Sequence, residues 1–233
     1  MHAEGMGSFL KNPITRKLIT GVTGLGLSLF VLIHMVGNLT YFSSDPDAYN
    51  RYSHTLASLG PLLYAVEIGL VVFFLFHAWL GYSIWRQKHA ARPVDYSTYR
   101  SAGDPSRQTI SSRSMILTGI ILFGFAIIHI ASFKYGPGTE SGYTVLIDGE
   151  QVRDLKRLME ERFADPLYAF GYLGVMILLA VHLRHGIWSA FQSLGATNPR
   201  MTPVVYTIGL IFGILIAVGF FVLPVYIYFG GGA

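Results

Sequence analysis

Residues 175–195 read VMILLAVHLRHGIWSAFQSLG, a stretch apolar enough to lie in a lipid bilayer except for His182, Arg184 and His185. Ionisable side chains are costly inside a bilayer, and where they occur they usually face the interior of a helix bundle or a ligand. A helix of this composition therefore indicates a membrane protein whose helices enclose something that histidine can bind.

Five segments of the chain are long and apolar enough to cross a hydrocarbon core of about 30 Å, which needs roughly 20 helical residues. They cover residues 18–41, 61–85, 114–134, 166–190 and 204–229. Hydrophobic residues make up 52% of the chain and charged residues 13%, and the mean hydropathy is +0.47. No segment alternates like a strand of a membrane β-barrel, so we expect one all-α domain, residues 1–233, built as a bundle of five transmembrane helices.

Basic residues between the spans predict how the bundle is oriented. They precede the first span and crowd the connection 86–113, whereas the loops after the first and third spans mix both signs. Because positive loops stay on the cytoplasmic side, we expect a cytoplasmic N-terminus, an outside C-terminus and a docking surface for partners at 86–113. Residues 150–164 place apolar residues at helical spacing among charged ones, which predicts an amphipathic helix on the outer membrane surface.

The absence of cysteine limits the possible cofactors. It excludes disulfides, iron–sulfur ligation by this chain and the C-x-x-C-H attachment of c-type haem. The sequence pI of 9.3 does not indicate nucleic-acid binding, because the basic residues lie between spans, where they set topology.

Five of the eight histidines fall inside spans, and four of them pair by depth. At a rise of about 1.5 Å per residue, His34 and His129 lie roughly 24 to 25 Å beyond the basic residues that precede their spans. His77 lies only about 13 Å from the inner end of its own span, with His182 at a comparable depth. Four helices thus supply two imidazoles to each of two levels, roughly 11 Å apart.

Two facing imidazoles per level fit bis-histidine ligation of a b-type haem within a helix bundle. Zinc would need three or four ligands at one level, and no carboxylate sits beside either pair. The alternative is that each histidine hydrogen-bonds a neighbouring helix and binds nothing.

Glycine spacing adds a second indication. Gly81 follows His77 by four residues and Gly186 follows His182 by four, so each lies one turn along the same helix face. A missing side chain there leaves room for a flat ring, or equally allows close helix packing. The H-x-x-x-G spacing and the greater depth favour His182 over His185 as the ligand.

Arg184 and His185 lie near the inner rim, where they could pair with haem propionates. For Arg184 the alternative is snorkelling, in which the guanidinium reaches out to the lipid headgroups.

Four motifs resemble one known family. They are HMVGN at 34–38, FLFHAWLGYSIW at 74–85, the lone His129, and the run from 154 to 195 that begins DLKRLMEERFADP. Together they resemble the di-haem cytochrome b membrane anchor subunit of succinate:quinone oxidoreductase and fumarate reductase. The resemblance covers essentially the whole chain, and its most specific piece is the run 154–195.

The resemblance implies two haem b groups, a distal one held by His34 and His129 and a proximal one held by His77 and His182. It also implies a cell (inner) membrane subunit of respiratory complex II that anchors a flavoprotein and an iron–sulfur subunit on the cytoplasmic side. Quinone, menaquinone rather than ubiquinone, would exchange electrons with it. The chain has no nucleotide loop or flavin fingerprint, so chemistry on the dicarboxylate belongs to the partners.

Glu67 is a further candidate, since it lies in the second span near the outer surface with no partner evident in the sequence. It could relay protons at an outer quinone site or hydrogen-bond the surroundings of the distal haem, or it could be an interfacial carboxylate facing water.

Two other functions stay open. One is a haem b subunit of a hydrogenase or formate dehydrogenase, and the other is a haem-free membrane anchor or transporter. A transporter would need helices broken at the midplane, and the spans contain no paired Gly-Pro interruptions.

Overall fold

The structure is a computed structural model that describes residues 12–91 and 110–231. Most of these residues are helical. In chain order the elements are α1 Pro13–Asn38, α2 Ala48–Ala57, α3 Pro61–Ala90, α4 Ile110–His129, β1 Thr144–Ile147, β2 Glu150–Arg153, α5 Leu155–Ala164, α6 Pro166–Ser193 and α7 Met201–Tyr226. Much of the predicted docking loop 86–113 lies outside the described residues.

Five of these helices, α1, α3, α4, α6 and α7, are long and apolar enough to cross a membrane, as predicted. Short turns of different pitch extend three of them: Leu39–Phe42 follows α1, Ile130–Lys134 follows α4 and Ile227–Gly231 follows α7. Proline occupies the first position of α1, α3 and α6. Its fixed φ and missing N–H suit that position, which explains where these helices begin.

The chain divides into two compact units, and each unit takes a segment from all five long helices. Unit 1 comprises Met1–Leu29, Leu70–Ile120 and Ala180–Gly213, and unit 2 comprises Phe30–Gly69, Ile121–Leu179 and Ile214–Ala233. His77 and His182 belong to unit 1, whereas His34 and His129 belong to unit 2. The division of the chain therefore sorts the four histidines into the same pairs as the depth calculation.

Glycines bring α7 close to α6 within unit 1. A Cβ atom at Gly209 would lie 2.7 Å from the carbonyl oxygen of Arg184, and one at Gly213 would lie 2.8 Å from that of Ala180. Both distances are too short for a real side chain, so the helix backbones meet directly here. This small-residue packing holds the segment of α6 that carries His182 against α7.

In unit 2, α2, the hairpin formed by β1 and β2, and α5 form a layer. The sequence predicted only the helix α5 of this layer. The predicted helix at 150–164 begins later, at Leu155, because residues 150–153 form β2 and pair with β1. The reason is the Asp148-Gly149 turn, in which both residues have positive φ, as a two-residue hairpin turn requires.

The apolar face of α5 packs on the protein. Leu158, Met159 and Phe163 are each at most 5% exposed, and the last two join a buried cluster with Leu223 and Ile227 at the end of α7. Protein therefore covers the apolar face of α5, and the position of this helix at the outer membrane surface stays a prediction. The sequence reading did not include the partner elements, which are α2 and the end of α7.

Arg153, the last residue of β2, closes the end of the α4 extension. Its guanidinium donates hydrogen bonds to the carbonyl oxygens of Phe133, Lys134, Gly136 and Pro137, at 2.8 to 3.2 Å. Carbonyl groups at a helix end have no partner within the helix, and a cation is the favourable donor there. The hairpin thereby fixes the end of the helix that carries His129.

Candidate functional site

His34 and His129 face each other in unit 2. Their ring centroids are 5.7 Å apart and the ring planes are nearly perpendicular, at 83°. His34 comes from α1, and His129 is the last residue of α4. The structure thus brings together the pair that was predicted for the outer level, while ligation of a haem by this pair stays a prediction.

Aromatic side chains surround this pair. Phe30 stacks on His34 and Phe125 stacks on His129, each with a centroid distance of 5.6 Å. The hydroxyl of Tyr172 lies 3.2 Å from Nδ1 of His129. Both histidines are half-buried.

Asn38, one turn after His34, is a neighbour that the sequence did not single out. Its amide nitrogen donates to the backbone carbonyl of His34 at 2.8 Å and lies 3.4 Å from Nε2 of the same residue. Tyr49 of α2 donates to the amide oxygen of Asn38 at 3.4 Å. The contact with Nε2 is long and weak, so little is lost if Nε2 of His34 takes a metal instead.

His77 and His182, the pair predicted for the inner level, both belong to unit 1. Oγ1 of Thr23 is 3.1 Å from Nδ1 of His77, and Oγ1 of Thr118 is 3.0 Å from Nδ1 of His182. Each threonine is only 2% exposed. The sequence reading missed both as site residues, although each sits in a Thr-Gly step eleven residues before a membrane histidine.

The glycines differ in what they face. Among the described residues, a Cβ atom at Gly81 or Gly186 would meet no atom within 4 Å. Close helix packing therefore does not account for either glycine, and open space lies one turn from each of the two unit 1 histidines. Gly24 does face a histidine, because its Cβ position lies 3.1 Å from Cε1 of His77, and Gly119 lies against His182 at 3.7 Å.

Arg184 turns toward α4, where its Nη1 donates to Oγ of Ser111 at 3.4 Å. In residues 12–91 and 110–231 no carboxylate pairs with Arg184. His185 is half-buried and belongs to the same unit as His182. Both side chains are thus in the unit where a propionate role would place them, and that role stays a prediction.

Glu67 has a partner, contrary to the expectation from the sequence. Its carboxylate forms an ion pair with Nζ of Lys134 within unit 2, and the same Nζ lies 5.4 Å from the centre of the Tyr64 ring. Neighbouring spans run in opposite directions, so the start of α3 and the end of α4 come to the same level. Glu67 and Lys134 are far apart in the sequence, so the sequence alone did not indicate the ion pair that this antiparallel arrangement brings together.

The donor set fits a haem better than a closed metal site. Within the described ranges there is no group of three or more His, Cys, Asp or Glu side chains that could hold a metal ion. A zinc site needs three or four protein ligands. A haem iron needs only two, because the porphyrin supplies the others, and each unit contains one of the two predicted pairs of imidazoles.

No protein-family model, curated protein or solved structure matches this chain. The residues and their geometry therefore carry the assignment of the site. The two features that matter most are the pairing of the four histidines within the two units and the open space beside Gly81 and Gly186.

Gly24→Ala tests the position of His77. The new methyl group would lie 3.1 Å from Cε1 of His77, closer than ordinary contact, so the imidazole must shift. We expect the affinity of unit 1 for haem to fall by about 10-fold to 100-fold, as for other groups that position a ligand. Titration of the purified chain with haem, followed by absorbance, measures this.

Gly119→Ala is the matched control, because its methyl group would lie at an ordinary 3.7 Å from Cε1 of His182. Alanine also favours a helix more than glycine does, so neither change should weaken the helices. Equal haem affinities in the two variants would contradict the geometry described for His77.

Proposed function

We propose that the chain is a membrane subunit that binds two b-type haems and carries electrons between an iron–sulfur partner and quinone. The observation that carries the proposal is the arrangement of four half-buried histidines from four apolar helices, two in each compact unit. Buried imidazoles without a charged partner suit a neutral metal ligand. The resemblance of the sequence to the di-haem cytochrome b family points to the same function.

His77 and His182 would hold one haem, and His34 and His129 the other. When bound, a bis-histidine haem supplies a centre that takes up and releases one electron. The protein's own contribution is to hold the imidazoles neutral and aligned. Phe30 and Phe125 stack on the unit 2 histidines, and no described atom would lie within 4 Å of a Cβ at Gly81 or Gly186, one turn from the unit 1 histidines.

Arg184 and His185 would receive the carboxylate groups of the unit 1 haem. Ser111 already orients the Arg184 guanidinium at the start of α4. A guanidinium is the strongest partner for a carboxylate, since it presents several donors in one plane. This role accounts for the two cationic or titratable side chains that follow His182 in the apolar helix α6.

The kind of partner subunit is inferred from two motifs that the sequence does not contain. With no nucleotide loop or flavin fingerprint, the chain would pass electrons that a flavoprotein subunit and an iron–sulfur subunit extract from, or deliver to, a dicarboxylate. These subunits would dock on the cytoplasmic face of the inner membrane, where the basic connection 86–113 lies. Unit 1, which contains the described residues at both ends of that connection, would exchange electrons with the iron–sulfur subunit.

Glu67 and Lys134 mark the proposed quinone site, with menaquinone as the substrate. Quinone reduction consumes protons, and a carboxylate at the outer end of α3 can supply them. Lys134 keeps the Glu67 carboxylate in place through its ion pair. The lysine itself is fixed because its backbone carbonyl accepts a hydrogen bond from Arg153.

Histidine substitutions test the proposal directly. His77→Ala or His182→Ala should remove the unit 1 haem, and His34→Ala or His129→Ala the unit 2 haem, because each change deletes an axial ligand. Haem per chain and the low-spin spectrum of the purified variants provide the measurement.

Two further variants serve as controls for the histidine series. His89→Ala should keep both haems, since His89 is exposed and bonds only to the Trp85 carbonyl. His185→Ala should also keep both. If His185→Ala loses a haem while His182→Ala keeps both, the assignment of ligands in α6 is wrong.

Glu67→Gln tests the proton role. Glutamine keeps the shape of the side chain but cannot release a proton, so we expect succinate-to-quinone turnover in the assembled complex to fall by at least about tenfold. Both haem spectra should be unchanged. Lys134→Gln breaks the same ion pair and leaves the carboxylate, so it should slow turnover less. Turnover at the wild-type rate in Glu67→Gln would show that the carboxylate is interfacial only.

The orientation is tested by labelling single cysteines, since the natural chain has none. Ser141 and Ala196 are both exposed and lie in connections at opposite ends of the spans. With the N-terminus inside, Ser141→Cys should react with an impermeant reagent applied to intact cells, and Ala196→Cys only after lysis. The reverse pattern would overturn both the orientation and the proposed electron path.

A further inference from the structure

We propose that Thr23 and Thr118 are positioning residues that fix the tautomer of His77 and His182 and lower the reduction potential of the haem in unit 1. The proposal rests on the haem function proposed above and assigns it two residues that do not touch the cofactor. Both are buried in unit 1, and each lies against Nδ1 of one histidine.

The direction of the hydrogen bond between Thr23 and His77 depends on where the single hydroxyl proton of Thr23 points. A hydroxyl has one proton to donate, and Thr23 directs it to its own helix, where the carbonyl oxygen of Ile19 lies at 2.8 Å. We infer that the oxygen of Thr23 accepts in its 3.1 Å contact with Nδ1 of His77. Nδ1 of His77 therefore carries the proton, and the lone pair resides on Nε2.

The same argument about the hydroxyl proton applies to Thr118. Its hydroxyl oxygen lies 3.0 Å from the carbonyl oxygen of Ser114 and 3.0 Å from Nδ1 of His182. We infer that it donates to Ser114 and accepts from Nδ1–H of His182. The contacts with the two threonines both use Nδ1 and do not involve Nε2 of either ring. Each imidazole is thus prepared to offer Nε2 to a metal, before any metal is present.

The two threonines occupy equivalent places in the sequence. Thr23 and Thr118 each precede a glycine, and each stands eleven residues before a histidine of its own helix, His34 in α1 and His129 in α4. The histidines that they contact also share a motif, H-x-x-x-G. The same threonine–histidine contact therefore occurs twice, at equivalent positions in the sequence. A chance contact between a hydroxyl and an imidazole would not explain this repetition.

The unit 2 histidines have different neighbours. Nε2 of His34 lies near the amide nitrogen of Asn38, and Nδ1 of His129 lies near the hydroxyl of Tyr172. An acceptor on Nδ1–H makes an imidazole a stronger electron donor to its metal, which favours the oxidised iron. Only the unit 1 pair has such a buried threonine acceptor on both sides, so the potential of that haem should depend on the two hydroxyls.

Thr23→Val and Thr118→Val test this, because valine keeps the shape and removes the acceptor. At a fixed potential, we expect the ratio of reduced to oxidised unit 1 haem to rise about threefold to tenfold for each change, the scale of one hydrogen bond. The unit 2 haem should not respond. Redox titration of the full-length protein, followed by absorbance and low-temperature EPR, separates the two centres.

Serine and a surface threonine supply the controls. Thr23→Ser and Thr118→Ser keep the hydroxyl and should restore the wild-type potential. Thr207→Val removes an exposed hydroxyl that makes the same bond to its own helix, to the carbonyl of Pro203 at 2.9 Å, with no histidine beside it. It should change neither haem.

The outcomes separate this inference from the function on which it rests. A wild-type chain that binds no b-type haem contradicts the proposed function. A wild-type chain with two haems whose potentials are the same in the valine variants overturns the role of the threonines. If a valine variant loses the unit 1 haem, retention of that haem in the matching serine variant supports the role, and its loss there overturns the role.

Discussion

An imidazole in an apolar helix needs a hydrogen-bond or metal partner for each of its two ring nitrogens, and the hydrocarbon core supplies no water for this. The rest of this structure depends on which partners the two nitrogens find. In unit 1 each histidine meets a buried threonine hydroxyl at Nδ1. In unit 2 the hydroxyl of Tyr172 lies 3.2 Å from Nδ1 of His129. The protein itself satisfies one nitrogen of each of these three rings, and the other is left for a ligand. Under the proposed function, that asymmetry suits the imidazoles to act as paired metal ligands.

Helix packing serves the same requirement. Gly209 and Gly213 let α7 approach the backbone of α6 and hold it, although α7 contributes no histidine. Arg153 fixes the end of the α4 extension, and α5 packs with α2 over unit 2. Glycine contacts thus hold α6, and the layer formed by α2, the β1–β2 hairpin and α5 holds the end of α4. The packing of these helices therefore does not require side chains to fill all of the space around the imidazoles.

Five long apolar helices and the pairing of histidines could be predicted from the sequence, because both depend on local composition and on a constant rise per residue. The ion pair between Glu67 and Lys134 could not, since it requires knowing which faces of α3 and α4 meet. Burial of Met159 was missed for a similar reason: an amphipathic helix has the same pattern whether it faces lipid or protein. The Asp148-Gly149 hairpin was predictable from its turn residues and was overlooked within a segment that reads as helical.

The central claim is that four histidines in this chain hold two haems. The most direct test is to purify the wild-type chain in detergent after expression with adequate haem supply, and to compare haem from the pyridine haemochrome spectrum with protein from amino-acid analysis. The account predicts two b-type haems per chain, both low-spin, as bis-imidazole ligation requires. A chain that folds and carries no haem, or that carries a single one, would contradict it.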